Sequence, residues 1–311
     1  FVMTKENSYP YYKKLALVLG PLLFLSFLFL SPDNELQLYQ VYGISSWMII
    51  WWMAEVVPIY ITAMLPMIIF PSLGLFSIKD TFVPYANPII FLFMGGFIIA
   101  LAMEERKLHI RMALFIIKLT GTKPLGILIG MMLSTAFLSM WISNTATTVM
   151  MLPIALSVLN LLKHQDRSNQ KEFETFALAL LLAIAYAANI GGTMTIIGTP
   201  PNVVFAGLFQ EHHDIEIGFG QWMLVGVPTG ILLLSITYLL LTKVLLKIQL
   251  TEIDGSAALF ERKRLELGKM EKGERMVLIV FLLTAFLWIF KSQINVLLGS
   301  SILHNTTIAM F

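Results

Sequence analysis

The stretch SMWISNTATTVMMLP, residues 139–153, places hydrogen-bonding side chains inside an apolar run. Ser143, Asn144 and Thr145 are consecutive, and Thr147 and Thr148 follow within one helical turn. Hydrocarbon is an expensive environment for so many polar groups. The stretch therefore predicts a break in a membrane-embedded run, with polar groups that serve a binding role.

The composition is that of an integral membrane protein. The 311 residues are 57% hydrophobic and 13% charged, whereas soluble domains carry about 25% charged residues. Several runs reach the roughly 20 apolar residues that span a bilayer. The absence of Cys excludes disulfides and Cys-based metal or redox chemistry, and the five scattered His argue against a metal site. The chain begins at Phe1 and stops inside an apolar segment, so we expect it to be a piece of a longer protein.

The basic residues predict how the chain threads the membrane, since cytoplasmic loops are enriched in Lys and Arg. With the N-terminus inside, 19 of the 21 basic residues fall on the cytoplasmic side. They include Lys5 at the N-terminus and Arg167 in a polar loop, while Lys79 and Lys291 fall outside. Within the basic stretch 102–123, the spacing of Leu108, Met112, Phe115 and Leu119 predicts an amphipathic helix on the membrane surface.

The run 124–162 is basic at both ends, so both ends should lie inside. Its 39 residues are too many for one span, and the polar tip at 143–145 carries no charge. Length alone permits two full crossings, because 19 residues of helix cover about 28 Å. The uncharged tip favours a re-entrant hairpin whose tip stays buried in protein.

A second break lies in the run 173–209, whose two ends have opposite polarity. Gly191 and Gly192 can end a helix in the left-handed conformation. Thr199 can cap the next helix, with Pro200 and Pro201 in its first turn. The run therefore predicts a discontinuous helix with an unwound middle, which membranes tolerate only where it is buried or lines a cavity.

Two such breaks bring helix C-termini and N-termini together near the midplane. Free carbonyls at the C-termini, with Ser and Asn oxygens, suit a small cation such as Na⁺. Free N–H groups at the N-termini suit an anion. Discontinuous-helix carriers build their sites in this way, so the sequence predicts a secondary carrier of an anion coupled to a cation.

The motifs SMWISNTATT and YAANIGGTMTIIGTPPNVV resemble those of the divalent anion:sodium symporter family, which carries dicarboxylates, citrate or sulfate. WWMAEVVP and FLFMGGFIIALAMEERKLHIRMAL resemble its early helices. The resemblance implies an all-α inverted-repeat transporter that forms a homodimer in the inner cell membrane, without a nucleic-acid partner. It implies scaffold helices and a cytoplasmic surface helix over 1–118. The first half of the transport domain would span 119–250, with a hairpin at 124–162, a broken helix at 173–209 and a helix at 221–246. A cytoplasmic linker and the start of a second repeat would follow over 251–311.

The resemblance also implies site residues. The sodium ligands would be Ser139, Ser143, Asn144 and Gly192. A substrate carboxylate would meet Ser143, Asn144 and Thr145 in the hairpin, and Thr199, Pro200, Pro201 and Asn202 at the second break. Na⁺ would be the co-transported ion, with no organic cofactor. The family's second Ser-Asn-Thr hairpin is missing, so the chain is expected to hold half of the substrate site.

Alternatives stay open at this level. The leading hypothesis is Na⁺-coupled uptake of a C4-type dicarboxylate, such as succinate, malate or fumarate, by alternating access. A Na⁺-independent dicarboxylate exchanger of the same fold, or a carrier of citrate or sulfate, would use the same hydroxyls. A structural alternative is that the small polar residues only pack helices against each other, as such residues often do in membranes. An intramembrane enzyme would need a nucleophile–base pair or a metal set within the spans, and the spans offer no Cys and no evident buried His or Asp.

Overall fold

The computed structural model describes residues 10–165, 170–250, 252, 253 and 255–311, and every regular element in that part of the chain is helical. This confirms the predicted all-α class. Lys5 and Arg167, which entered the threading argument, lie outside the described residues, as do positions 1–9 of the predicted scaffold and positions 251 and 254 of the predicted linker.

The first of two compact units comprises Phe1–Asn87, described from residue 10. Its two long helices pack through glycines: Gly20 faces the Trp47 indole and Gly43 faces Phe24, where a Cβ would come within 2.5 and 2.9 Å of the neighbouring ring. Close packing at small residues is typical of membrane helices. The helices of this unit are α1 (Tyr11–Phe29), α2 (Leu36–Ala54), α3 (Ile59–Ala63), α4 (Leu65–Ser72) and α5 (Ile78–Phe82).

The second unit comprises Pro88–Phe311 and holds both predicted breaks. A π-helical turn, Leu240–Leu245, extends the helix Phe219–Leu239. The helices are α6 (Pro88–Glu105), α7 (Leu108–Thr120), α8 (Pro124–Ser139), α9 (Asn144–Gln165), α10 (Gln170–Thr193), α11 (Pro200–His213), α12 (Phe219–Leu239), α13 (Ser256–Glu266), α14 (Lys272–Leu298) and α15 (Asn305–Met310).

Six helical segments among the described residues are long and apolar enough to cross a membrane, which makes this a multi-pass membrane protein. Helix α8 has only 16 residues, or about 24 Å, and is too short to cross unaided. The six segments are Tyr11–Phe29, Ile78–Glu105, Asn144–Lys163, Gln170–Thr193, Phe219–Leu245 and Lys272–Leu298.

Helices α8 and α10 form the centre of the second unit. Helix α8 is buried on most of its surface, as expected of a helix that is apolar all round. Its neighbour α10 buries a small residue at every fourth position, namely Ala179, Ala183, Ala187 and Gly191. At the last of these, a Cβ would come within 2.2 Å of the Ala136 carbonyl oxygen, so the two backbones touch beside the first break.

One local expectation needs correction. Gly191 and Gly192 do not end α10 in a left-handed conformation, because the helix continues to Thr193 and neither glycine has a positive φ. Their lack of a Cβ instead permits close packing. Within the predicted linker, α13 occupies Ser256–Glu266. The helix expected in the basic stretch is present as α7, which buries Leu108, Ala113, Leu114 and Ile117 and leaves Phe115 and Leu119 exposed; its place on the membrane surface stays a prediction.

Two ion pairs anchor α14, one toward each end. Arg111 of α7 donates from Nε and Nη2 to the two carboxylate oxygens of Glu274, and the Nη2–Oε2 distance is 3.0 Å. Toward the other end, Lys291 Nζ lies 2.6 Å from Glu216 Oε1. Glu274 and Lys291 are 17 positions apart, which corresponds to about 25 Å of helix, close to the hydrocarbon thickness. Each pair joins segments that the charge pattern assigns to the same side of the membrane; the absolute orientation stays a prediction.

Candidate functional site

The first break is a four-residue interruption between α8, which ends at Ser139, and α9, which begins at Asn144. Ser143 occupies the N-cap position of α9, and its Oγ accepts a 3.3 Å hydrogen bond from the Ala146 amide. Met140, Trp141 and Ile142 are buried. Trp141 packs edge-on against Phe281 and stacks on Phe219, with ring centroids 4.9 and 6.0 Å apart. The turn between the helices is thus enclosed by protein.

Ser139 and Asn144 meet across this turn. The fully buried Ser139 Oγ lies 2.8 Å from Asn144 Oδ1 and 2.7 Å from the Ala188 carbonyl oxygen of α10. A hydroxyl carries a single hydrogen, so it cannot donate fully to both acceptors at once. Three oxygens therefore lie together with one proton among them, and this electron-rich cluster favours a cation.

Gly192 makes room for the Asn144 side chain. A Cβ at Gly192 would come within 2.2 Å of Asn144 Oδ1 and within 3.0 Å of Cγ and Nδ2. Only glycine leaves that space free. The Gly192 carbonyl belongs to the C-terminal turn of α10, where carbonyl groups lack intrahelical partners.

The second break spans residues 194–199, between α10 and α11, and it is pinned to the first. Thr195 Oγ1 donates to the Met140 carbonyl in the hairpin turn. Asn202, in the first turn of α11, donates from Nδ2 to the carbonyls of Gly192 and Thr195, both at 2.8 Å. Pro200 begins α11 as expected, but the Thr199 side chain does not cap it. The Thr195 and Asn202 side chains hold the unwound segment in place.

The structure brings some predicted site residues together and leaves others apart. Ser139, Asn144 and Gly192 converge, and Asn202 is buried with its amide nitrogen turned toward Gly192. Of the side-chain hydrogen bonds between described residues, none joins Thr145 or Thr199 to Asn144. Thr145, Pro200 and Pro201 are exposed, and Thr199 is half-buried.

Two polar residues of this site had no role assigned from the sequence: Thr195 and Asn189. Asn189 Oδ1 accepts a 3.2 Å hydrogen bond from Asn144 Nδ2. Both residues interrupt the apolar run 173–209, and a polar residue inside such a run is a functional candidate by default. That signal could have identified them.

The donor set fits a hard cation such as Na⁺. Hard cations take hydroxyl, amide and carbonyl oxygens as ligands, and Ser139 Oγ, Asn144 Oδ1 and the Ala188 carbonyl supply one of each type. Nearby, Thr147 Oγ1 and Trp141 Nε1 are buried without a hydrogen-bond partner among the described residues. In the same part of the chain, no three His, Cys, Asp or Glu cluster as a metal site would require.

His109 is buried and was not anticipated as such. Its Nδ1 lies 3.1 Å from the Met103 carbonyl, in the turn between α6 and α7. Burial lowers the pKa of His109, while the hydrogen bond to Met103 and the charge of Glu104 act in the opposite direction. His109 belongs to α7, outside the candidate membrane spans, and it is distant in sequence from both breaks.

Comparison with known proteins identifies the family of this chain. The profile of the Citrate transporter family matches residues 49–311, which is most of the chain. The sodium-dependent dicarboxylate transporter SdcS of Staphylococcus saprophyticus is 44% identical over 296 residues, or 93% of this chain and 57% of that protein. The protein of the same name from Staphylococcus aureus strain USA300 is 41% identical over 289 residues, or 92% of this chain and 56% of that protein.

The chain thus spans a little more than half the length of these relatives. The match to the family profile covers the hairpin turn, the unwound segment and both anchored ends of α14. The sequence motifs, the two breaks and the family match agree with one another. The chain therefore belongs to the Citrate transporter family, as its resemblance to the sodium-coupled carriers of divalent anions indicated.

Proposed function

We propose that the full-length protein containing this chain couples the inward Na⁺ gradient to uptake of a C4-type dicarboxylate by alternating access. The observation that carries the proposal is the oxygen cluster of Ser139, Asn144 and Ala188 at the hairpin turn, with Gly192 beside it. The names of the relatives, which are sodium-dependent dicarboxylate transporters, support the same substrate and ion.

We propose the following residue roles. Ser139, Asn144 and the carbonyls near the end of α10 would hold Na⁺. Ser143, Asn144 and Thr145, at the start of α9, would offer hydroxyl and amide donors to one carboxylate of the substrate. Thr199, Pro200 and Pro201 would edge the same cavity at the start of α11. Asn202 would act by holding Gly192 and Thr195 rather than by binding the substrate itself, because its amide nitrogen already donates to both carbonyls.

The ends of four helices at the two breaks support coupling between the ion and the anion. The carbonyl ends of α8 and α10 favour positive charge and the amide ends of α9 and α11 favour negative charge. Thr195 and Met140 join the two breaks directly. A cation that orders this junction would also order the helix starts that face the anion, which gives a physical route for Na⁺ to raise substrate affinity.

Uptake of labelled succinate into proteoliposomes bearing the full-length protein tests the proposal. We expect uptake to require an inward Na⁺ gradient and to disappear in Asn144→Ala with folding intact. Unchanged uptake when choline replaces Na⁺ would remove the coupling. Succinate counter-flow without Na⁺ would instead identify an exchanger. A competition panel of succinate, citrate and sulfate assigns the anion, and the family's description makes citrate the main competitor.

The remaining assignments are proposals of the same kind. We place the protein in the inner cell membrane with a cytoplasmic N-terminus, as a homodimer built from inverted repeats and acting as a carrier rather than an enzyme. Labelling of single cysteines introduced beside Lys13 and beside Lys79 tests the orientation, since the chain has no native Cys. Native mass measurement in detergent tests the dimer.

A further inference from the structure

Asn189 lies on α10 between the Asn144 side chain and the backbone of its own helix. Its Nδ2 donates to the Ala185 carbonyl at 3.2 Å, and its Oδ1 accepts from Asn144 Nδ2 at 3.2 Å. The side chain is exposed, so it borders open space beside the oxygen cluster. Asn189 does not itself contact Ser139 or Gly192 through any hydrogen bond among the described residues.

The Ala185 carbonyl decides how both amides are oriented. A carbonyl oxygen can only accept, so the nitrogen of Asn189 must face it. That leaves Asn189 Oδ1 toward Asn144, which must then present its nitrogen to Asn189. The oxygen of Asn144 is consequently directed to Ser139 Oγ and the Cα of Gly192.

The opposite orientation of Asn144 would abolish the electron-rich cluster. With the amide turned by 180°, Asn144 Nδ2 would donate to Ser139 Oγ, whose hydrogen would then go to the Ala188 carbonyl. Every group would be satisfied without a cation. This arrangement requires Asn189 to turn as well, which brings its oxygen against the Ala185 carbonyl, and two acceptors without a hydrogen between them repel.

We propose that Asn189 is a positioning residue that holds the Asn144 carboxamide with its oxygen toward Ser139, Ala188 and Gly192, and thereby sets the affinity for Na⁺. The inference rests on the proposed function, since it assigns a determinant of the same cation site. Asn189 acts through Asn144 and is not itself a ligand.

Two substitutions separate positioning from simple packing. Asn189→Ala removes the acceptor and frees Asn144 to turn, so half-saturation should need about three- to tenfold more Na⁺, the loss of roughly one hydrogen bond. Asn189→Asp offers only acceptors and keeps the Asn144 nitrogen bound. Its half-saturating Na⁺ concentration should stay at or below that of the wild type.

Substitution of Asn189 in an Asn144→Asp variant tests directly whether the Asn144 carboxamide turns. In Asn144→Asp, both terminal atoms of residue 144 are oxygens, so no orientation presents a donor to Ser139. Replacing Asn189 with Ala in that background should therefore not weaken Na⁺ binding. A purely structural role of Asn189 would produce the same loss in both backgrounds.

The measurement is the Na⁺-dependent rise in melting temperature of the full-length protein in detergent, without substrate, with choline keeping ionic strength constant. The Na⁺ dependence of succinate uptake in proteoliposomes is the second readout. Asn160→Ala is the matched control, because Asn160 is exposed on α9 about 24 Å along the helix from Asn144. It should leave both curves unchanged.

The outcomes are distinct. Wild-type Na⁺ affinity in Asn189→Ala overturns the proposal, as does an equal loss in Asn189→Ala and Asn189→Asp. A lower melting temperature of Asn189→Ala in the absence of Na⁺, with unchanged half-saturation, would also overturn it in favour of a structural role. A wild-type protein that shows neither Na⁺ stabilisation nor Na⁺-dependent uptake removes the proposed function itself, and the assignment of Asn189 with it.

Discussion

The carboxamide oxygen of Asn144 lies against the Cα of Gly192, where an added methyl group would come within 2.2 Å of it. Atoms cannot approach so closely, so Gly192→Ala must displace the Asn144 side chain. Alanine favours helix more than glycine does, so the substitution should not weaken α10 itself and its effect should arise from the clash with Asn144. We expect the Na⁺ concentration for half-maximal uptake to rise at least about tenfold, the equivalent of about 1.4 kcal/mol. Na⁺ titration of succinate uptake is the measurement.

Gly96→Ala provides the control for that substitution. Gly96 is also a buried helical glycine of the second unit, yet a Cβ there would meet its nearest neighbour, the end of the Ile197 side chain, at 3.4 Å. This is ordinary van der Waals contact, and we expect wild-type Na⁺ dependence. Equal losses in the two variants would mean that Gly192 matters for general packing rather than for the position of Asn144.

Asn202 supports the second break through its two donated bonds, and its replacement should loosen the unwound segment. Asn202→Ala leaves the Gly192 and Thr195 carbonyls without their 2.8 Å donor and should destabilise the fold by about 2 kcal/mol, about 1 for each bond. Asn202→Asp should be worse, because a carboxylate turned toward two carbonyl oxygens offers only acceptors. Thermal unfolding in detergent ranks the three proteins. An Asp variant as stable as the wild type would contradict this role.

The helices and breaks could be predicted from the sequence because both follow from local chemistry. Apolar runs of bilayer length form helices whatever their neighbours, and the polar tip at 143–145 and Pro200 mark helix starts in any context. The prediction reached Ser139, Asn144 and Gly192 through family motifs. The structure brings these three together, which the spacing of 48 residues between Asn144 and Gly192 could not indicate by itself.

The remaining features depend on tertiary contacts that no local pattern reveals. Gly192 was expected to end a helix, yet it matters because its lack of a Cβ leaves room for the carboxamide oxygen of Asn144. The buried face of α7, which includes Ala113 and Ile117, is set by packing against neighbouring helices and does not follow from the spacing of its apolar residues alone. Asn189 and Thr195 were visible as polar residues in an apolar run, but their partners, Asn144 and Met140, lie about 50 positions away.

The ion pair between Arg111 and Glu274 should contribute strongly to stability. The Glu274 side chain is only 6% exposed, and Arg111 also donates to the Gly268 and Leu267 carbonyls. Glu274→Gln removes the charge from the bidentate contact and leaves the guanidinium partly buried and uncompensated, at a cost of about 2 kcal/mol. The melting temperature in detergent should fall accordingly, and Arg111→Met should rescue part of the loss in the double variant.

An exposed ion pair in the same part of the fold is the control for Glu274. Glu261 and Arg264 of α13 are joined at i, i+3, with both side chains about half exposed. Exposed pairs contribute little because water and salt screen them. Glu261→Gln should therefore leave the melting temperature unchanged. Equal effects at residues 261 and 274 would show that net charge, and not the buried contact, governs the response.

His109 should make stability depend on pH. Burial lowers the pKa of His109 below its usual 6.5, so the unfolded chain binds a proton more readily than the folded one. Its contribution to stability is complete above about pH 6.5 and is lost as pH falls toward the folded-state pKa. His109→Asn keeps a donor near the Met103 carbonyl and removes the titration, so the wild-type melting temperature should fall more steeply than the variant's below about pH 6.5.

His212→Asn is the matched control for this pH dependence. His212 Nδ1 also lies close to a backbone carbonyl, that of Leu208 at 2.8 Å, but its ring is exposed whereas that of His109 is buried. The His212 variant should follow the wild-type curve of melting temperature against pH, while the His109 variant departs from it on the acid side. Parallel curves for all three proteins would show that burial of His109 does not contribute to acid sensitivity. In that case His109→Asn, which has no titrating group at this position, would lose stability as steeply as the wild type.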